Sequence, residues 1–503
     1  MTQSDRREQL PPRVNTPGRR LRLTGLRLLH HVRVAVCSRR RMPSIFGKNF
    51  PNTPNDDIIV YVLLDFSISN YKCFAEEAHL SFVRPSLKTQ VPRDGQSWTD
   101  VAYQVAAVYG ANASGKSTLL EALTRLSSSI AGSDARLFQP HASQLEANEP
   151  TVYSANFTQG GVRYTYTVEA HPWGISRESL YSYPRGTRKH VFTRSQEKGG
   201  ELVVKAAADL RGPTAEVRKV TTSHDLFLAS SHRYQHKTLA AVARGLRLDS
   251  AARIVSHDES DRSTRIRWIM TQMAKGEEWQ TTVNEAARMA DLGIKRIELR
   301  EKDIPLEILD HVRDLFLTLN DEEDEDVELP DELLASLRRS LVFIHSGLDG
   351  REFELSLNAQ SDGTITWLAS IIPTIDALRS GRLLIVDELD ASLHPDLARA
   401  LVELFKSPTY NQSGAQILFS THDVSLLGNS PVRLLEPGEV WFCEKDPDGG
   451  SELVSLLDYD NREGNNNQRR YLAGKFGAIP NVDLSRLLKC SSVRAPATSR
   501  KSA

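Results

Sequence analysis

The chain has 503 residues, 40% hydrophobic and 25% charged, with a formal net charge of −1; this is ordinary globular composition with room for more than one domain. Near-neutral charge gives no global electrostatic reason to bind nucleic acid, so any such surface must be a local patch. The four cysteines, Cys37, Cys73, Cys443 and Cys490, form no CxxC or zinc-ligand spacing, and no apolar run nears the roughly 18 residues that span a bilayer, which excludes a disulfide scaffold, a zinc module and a membrane-integral protein and leaves reduced thiols in a cytosol as the expectation.

The first 60 residues crowd Arg19, Arg20, Arg22, Arg27, Arg33 and Arg39 to Arg41 among few acids and several prolines. An organelle leader, a basic tail for nucleic acid or membrane, and an unstructured extension all fit. The last is preferred: Thr53 to Asp57 (TPNDD) is a loop-like break, and nothing before it sustains amphipathic periodicity. Translation starting at Met42 or beyond is part of that expectation.

The next strong signal is YQVAAVYGANASGKSTLLEAL, Tyr103 to Leu123. A strand over Val105 to Tyr109 runs into Gly110-Ala111-Asn112-Ala113-Ser114-Gly115-Lys116-Ser117-Thr118, and a helix carrying Leu119, Leu120 and Leu123 follows. This is a P-loop in its full context of strand, glycine-rich turn and helix. Glycines let backbone N–H groups wrap phosphates, the helix N-terminus adds partial positive charge, and Lys116 reaches the β and γ oxygens. Ser117 offers a hydroxyl to Mg²⁺. Nucleotide binding is the expectation.

Beyond the loop, Thr151 to Arg194 alternates apolar and polar residues around GG and PRG turns and predicts antiparallel strands. Leu210 to Arg339 is mostly helical in pattern and lacks sustained heptads, which predicts a compact lobe in place of long coiled-coil arms. The run DEEDED, Asp321 to Asp326, reads as a solvated acidic loop. Ser361-Asp362-Gly363-Thr364 then opens a helix with Leu368, Ile371, Ile372 and Ile375 at i, i+3, i+4, i+7, and Pro373 within it predicts a kink. The polar turn fits an anion site at a helix start, and equally a plain helix cap.

LLIVDELDASLHP, Leu383 to Pro395, is an unalternating aliphatic strand that ends in acids, as a strand buried on both faces does at the rim of a parallel sheet. In a P-loop enzyme a carboxylate there sits beside the metal and a following glutamate orients or deprotonates water, so Asp387 reads as the Mg²⁺ carboxylate and Glu388 as the catalytic base. A poorer rival is Asp258-Glu259 in RIVSHDE. ILFSTHD brings Thr421, His422 and Asp423 to the same rim, although a satisfied histidine at a strand end also fits. EVWFCEKDPDGGSELVSLL predicts a closing strand pair. Lys116 and Asp387 lie 271 positions apart (387 − 116), too far for a ring-forming AAA+ motor. No Asn-Lys-x-Asp guanine-reading motif was found.

The order of P-loop, Ser-x-Gly-x turn, acidic strand, Asp-x-x-x-His-Pro loop and histidine strand resembles the ATP-binding-cassette class, in its DNA-repair and chromosome-maintenance branch and the AAA family ATPases of bacterial defence systems. LLDFSISNYKCF (Leu63 to Phe74) and RRYLAGKFGAIP (Arg469 to Pro480) resemble the latter too, so the likeness spans about Leu63 to Pro480. The turn departs from the transporter pattern, lacking its double glycine and glutamine. The resemblance implies a head-to-head homodimer with two ATP·Mg²⁺ at its interface. Each nucleotide then lies on one subunit's P-loop under Ser361 and Gly363 of the other; Asp390 and Ser392 couple the sites, and His422 contacts the γ-phosphate. It implies a cytoplasmic, nucleotide-gated defence subunit beside a separate nuclease-type effector, with DNA as a candidate partner and no membrane. Rivals are a non-hydrolysing ATP-tethered DNA scaffold and a transporter's nucleotide-binding subunit, the latter disfavoured by the large insertion. Gln139 is a weak candidate for the glutamine that links ATP to the lobe.

The expected fold class is α/β, a P-loop ABC-type core with a β-rich arm and an inserted helical lobe. Its parts are an extension over 1–60, a first core segment with the P-loop and arm over 61–204, the lobe over 205–340, a second core segment over 341–483 and a disordered tail over 484–503.

Overall fold

The computed structural model describes residues 61–132, 136–145, 148–246, 259–290, 293–304, 309, 311–313, 334, 337–446, 448–460, 462 and 464–478. The segment 1–60, Asp258 of the rival acidic pair, the run 321–326 and the tail 484–503 lie outside the described residues. The strands are β1 (Val62–Ser69), β2 (Ala78–Ser81), β3 (Val105–Gly110), β4 (Thr151–Gln159), β5 (Val162–His171), β6 (Gly174–Ser182), β7 (Lys189–Ser195), β8 (Val203–Ala206), β9 (Ile294–Glu301), β10 (Arg339–Ser346), β11 (Glu352–Ser356), β12 (Leu383–Val386), β13 (Gln416–Ser420), β14 (Val440–Lys445) and β15 (Ser451–Ser455). The helices are α1 (Trp98–Val101), α2 (Lys116–Ile130), α3 (Thr214–Val220), α4 (Phe227–Arg233), α5 (Leu239–Leu246), α6 (Glu259–Ala274), α7 (Glu277–Met289), α8 (Asp362–Ser380), α9 (Pro395–Lys406) and α10 (Asn467–Leu472).

Aliphatic runs without alternation make the central sheet. Its order is β12-β13-β3-β14-β15, with β12, β13, β3 and β14 parallel and β15 antiparallel at one edge. Every residue of β3, β12 and β13 is buried, as strands covered on both faces must be. Helices α2 and α9 pack on β3 and β13, and α8 packs on β12. Each large aliphatic side chain buried there contributes about 1.5–3 kcal/mol. β14 and β15 are the expected closing pair.

The alternating stretch forms an antiparallel meander, β4 to β8, extended by β1 and β2 into a seven-stranded sheet ordered β2-β1-β4-β5-β6-β7-β8. Its buried face shares one hydrophobic core with the central sheet and α2. Gln416 joins the two sheets: its side chain accepts from Leu63 N (2.7 Å) and donates to Leu63 O and Tyr103 O (3.0 Å each). Gln416→Leu keeps the volume but orphans these buried backbone groups, so a loss of about 3 kcal/mol is expected. A lower urea midpoint at unchanged slope checks it; an unmoved midpoint removes the amide from this role.

Farther along, α4 starts against a fully buried carboxylate. Glu178 accepts from Tyr166 Oη (2.8 Å), Phe227 N (2.6 Å) and Leu228 N (2.9 Å), and burial raises its pKa. Arg194, also buried, donates to Ile175 O, Thr222 O and Ser223 O.

The stretch expected to be mostly helical contains α3 to α7 but also β9, which pairs with β10 and, through it, β11 in a three-stranded antiparallel sheet. Ile294 and Ile297 fall at i, i+3, a spacing that a helix also allows, yet their side chains are buried while Arg296 and Arg300 pair with Glu298 beside them and with Glu352 and Glu354 across the sheet. Helix α8 runs on through Pro373, where a kink was expected to mark it; Ser370 and Thr374 hydroxyls donate to Thr366 O and Ser370 O (2.8 Å each) on either side.

Candidate functional site

The P-loop leaves the C-terminal end of β3 at Gly110. A Cβ there would lie 2.4 Å from Cys443 O on β14 and 2.5 Å from Ser114 Oγ, so only glycine passes. Ala113 (φ 62°) and Gly115 (φ 113°) take left-handed backbone, which turns the chain into α2. Gly115 is the N-cap of that 15-residue helix and offers no side chain to its first N–H groups, which leaves them for an anion. A Cβ on Gly115 would come within 2.8 Å of Cys73 Sγ and 3.1 Å of Phe74. Cys443 Sγ donates to Ser114 O (3.0 Å), and burial pushes its thiol up to about 12.

Lys116 is buried and donates to Gly110 O (2.9 Å) and Ala111 O (3.0 Å). Burial lowers its pKa, against the pull of Cys443 and of the carboxylates of Asp387, Glu388 and Asp390. Acids 271 or more positions downstream are thus near enough to act electrostatically on this ammonium. Ser114 Oγ is buried there without a hydrogen-bond partner, while Asn112, Ala113 and Ser117 are exposed on the rim.

The register explains the convergence. Val386 pairs with Phe419 and Ser420 with Val108, so the three strands end level at one rim. Ser420, which no sequence argument singled out, sits at the junction: its hydroxyl donates to Asp387 Oδ1 (2.5 Å) and accepts from Glu388 N (2.7 Å). The small polar residue directly before Thr421-His422 was the available signal. Glu388 (φ 54°) turns out of the strand, and its side chain is exposed. Asp390 accepts from Thr421 Oγ1 (2.6 Å) and from His422 N (3.1 Å), tying the acidic loop to the histidine strand within one chain. The His422 side chain is exposed.

Ser361 caps α8, its Oγ accepting from Thr364 N (3.1 Å). A Cβ on Gly363 would lie 3.4 Å from Ser392 O, so this turn and the acidic loop are neighbours. Asp362 pairs with Arg262 of α6 (2.8 Å). Gln139 is held by its backbone, its carbonyl accepting from Lys72 N (2.7 Å) and its N–H donating to Thr151 Oγ1 (3.1 Å). Lys72 in turn pairs with Glu121 of α2 (2.5 Å). Lys72, Cys73 and Phe74, read only as part of a resemblance, therefore flank the loop.

These residues fit a triphosphate: an uncapped helix start, a lysine and an orphaned buried hydroxyl face one cradle. Among the described residues no group of three His, Cys, Asp or Glu could hold a metal. A Mg²⁺ that shares its coordination with phosphates and water rather than an all-protein cage would need few protein donors, and Ser117 and Asp387 are of the type that would supply them.

Residues 105–428 match the profile of a family described as "AAA domain, putative AbiEii toxin, Type IV TA system". Among solved structures, the SMC head domain from Thermotoga maritima is 14% identical, with 78% of this chain and 98% of that chain covered and a TM-score of 0.34. The Smc head domain with an extended coiled coil bound to the C-terminal domain of ScpA, from Pyrococcus furiosus, is also 14% identical, covering 79% and 97% at a TM-score of 0.34. No curated protein matches. No helix among the described residues is long and apolar enough to cross a membrane.

Proposed function

The chain belongs to the P-loop ATPases of the AAA/ABC type, in the family that carries the AbiEii toxin description, and from that premise we propose that it binds ATP·Mg²⁺ and hydrolyses it as a dimeric switch. The observation that carries this reading is that β3, β12 and β13 end level at one rim, where the P-loop leaves β3 and Ser420 bonds both Asp387 and Glu388 N. Gly110 to Thr118 cradle the phosphates, and Lys116 exchanges its loop carbonyls for phosphate oxygens. Ser117 and Asp387 would hold Mg²⁺, which when bound would supply charge neutralisation at the phosphates. Glu388 takes the proton of the attacking water, and His422 orients that water and the γ-phosphate.

Ser361 and Gly363 act on the nucleotide of a second copy, with Asp390 and Ser392 beside them in the loop that signals between sites. Asp362, between Ser361 and Gly363, pairs with Arg262 of α6, and a Cβ on Gly363 would lie 3.4 Å from Ser392 O, so the turn and the loop lie together. The family description names a type IV toxin–antitoxin system, and the proposal extends this to a cytoplasmic regulatory subunit in a defence system, acting beside a separate nuclease-type effector, with DNA as a candidate partner. The test is the solution mass of Glu388→Gln by light scattering: one chain mass without nucleotide, two with ATP·Mg²⁺. An unchanged mass with ATP demonstrably bound would remove nucleotide-driven dimerisation.

A further inference from the structure

A cavity of about 600 Å³ opens in the seven-stranded half of the molecule, and no residue of the P-loop, the acidic rim or the histidine strand lines it. Its walls are the segment 136–139 after α2, the turn from β5 into β6, and His224 just before α4. Arg136, His171, His224 and Gln139 supply its polar lining, and among the described residues no Asp or Glu takes part. Leu137, Phe138 and Ile175 supply apolar surface. His171 Nδ1 is buried without a hydrogen-bond partner, and the imidazole stacks on Trp173 with ring centres 5.3 Å apart and planes 13° apart.

The walls are fixed in place. Arg136 O accepts from Arg125 Nη1 of α2 (3.1 Å), Leu137 O from Tyr153 Oη (2.7 Å) and Gln139 O from Lys72 N (2.7 Å). On the opposite wall Ile175 N donates to Ser223 O (2.9 Å), the same carbonyl that the buried Arg194 holds at 3.0 Å. A Cβ on Gly174 would lie 2.5 Å from Ser223 O, so glycine lets the turn close against this stretch. A concave site with a preformed apolar floor and a few convergent polar groups is what a small ligand requires.

The chemistry of the lining selects the ligand. One guanidinium, two imidazoles and a carboxamide, with no acid among the described lining residues, favour an anion, and Arg136 can bind a phosphate in bidentate fashion. The apolar floor suits a planar body, and the volume suits one nucleotide. We propose that this cavity is a second ligand site, distinct from the P-loop, for a phosphorylated molecule of mononucleotide size. It goes beyond the ATPase reading and does not depend on it.

The test is equilibrium dialysis of radiolabelled AMP against the full-length wild-type chain, Lys116→Ala and the double variant Arg136→Gln/His224→Gln. Arg136 and His224 are exposed, so the double variant keeps its fold, and its ATP binding is measured as a control. Lys116→Ala should retain one AMP per chain, whereas the double variant should lose affinity by about tenfold or more. Adenine and inorganic phosphate, each carrying half of the recognised features, should bind more weakly than AMP. Absence of AMP from Lys116→Ala, unchanged AMP affinity in the double variant, or phosphate binding as tightly as AMP would each overturn the proposal. Failure of the P-loop reading would appear separately, as wild-type ATP binding in Lys116→Ala.

Discussion

Glu388→Gln is expected to slow ATP turnover by about two to four orders of magnitude, the usual worth of a positioned general base, while ATP affinity stays near that of the wild type. The substitution is nearly isosteric and removes only the proton acceptor. The backbone that aims the side chain is held independently, because Ser420 Oγ accepts from Glu388 N and Leu389 N donates to Ser420 O (2.9 Å). Turnover therefore falls without collapse of the rim. Phosphate release followed beside ATP binding checks this. A variant that keeps wild-type turnover would move the base elsewhere, and one that loses ATP binding would make Glu388 a structural part of the cradle.

Lys116→Ala should lower ATP affinity by about one to two orders of magnitude for each phosphate hydrogen bond lost, since bonds to charged groups contribute about 1.5–3 kcal/mol. The free protein should unfold at a similar or higher temperature. Burial disfavours the Lys116 ammonium, and its two partners are the backbone carbonyls of Gly110 and Ala111 rather than a carboxylate. Removing it therefore relieves a desolvated charge while it deletes a ligand contact. Calorimetric titration with ATP and a melting curve separate the two effects. Retained affinity would exclude Lys116 from phosphate binding, and a collapse in melting temperature would make its role structural.

The parts of the site legible in the sequence were those where one local pattern has one physical meaning. An eight-residue glycine loop between a strand and a helix, and four aliphatics running into acids, each fix an element and an end of it. The pairing of those ends was not legible locally, because parallel strands meet across long connections. Ser420 has only its place before Thr421-His422 to mark it, because one serine among strand residues has no period of its own. Its role depends on β12 and β13 lying side by side. Asp390 was read through resemblance as a coupling residue between copies, and within one chain its carboxylate holds Thr421 and His422 N.

The three-stranded sheet was missed for a related reason. β9 is charged at nearly every second position; Arg296 and Arg300 bond Glu298 within the strand, and their other partners, Glu352 and Glu354, lie in β11, more than fifty residues away. Without that partner the stretch presents mixed apolar spacing among helices, and helix is the natural reading. The meander β4 to β8 was easier: its alternation and its turns are both local.

The position of β3 in the central sheet has a consequence for synthesis. Its neighbours are β13 and β14, and the pairs Val105–Ile417 and Ala107–Val440 span 312 (417 − 105) and 333 (440 − 107) positions. A growing chain makes the phosphate loop early but holds it on a strand with both edges bare until nearly the whole sequence has left the ribosome. The cradle is thus among the last parts to mature, and a chain cut short before β13 carries the full loop sequence with no sheet to present it.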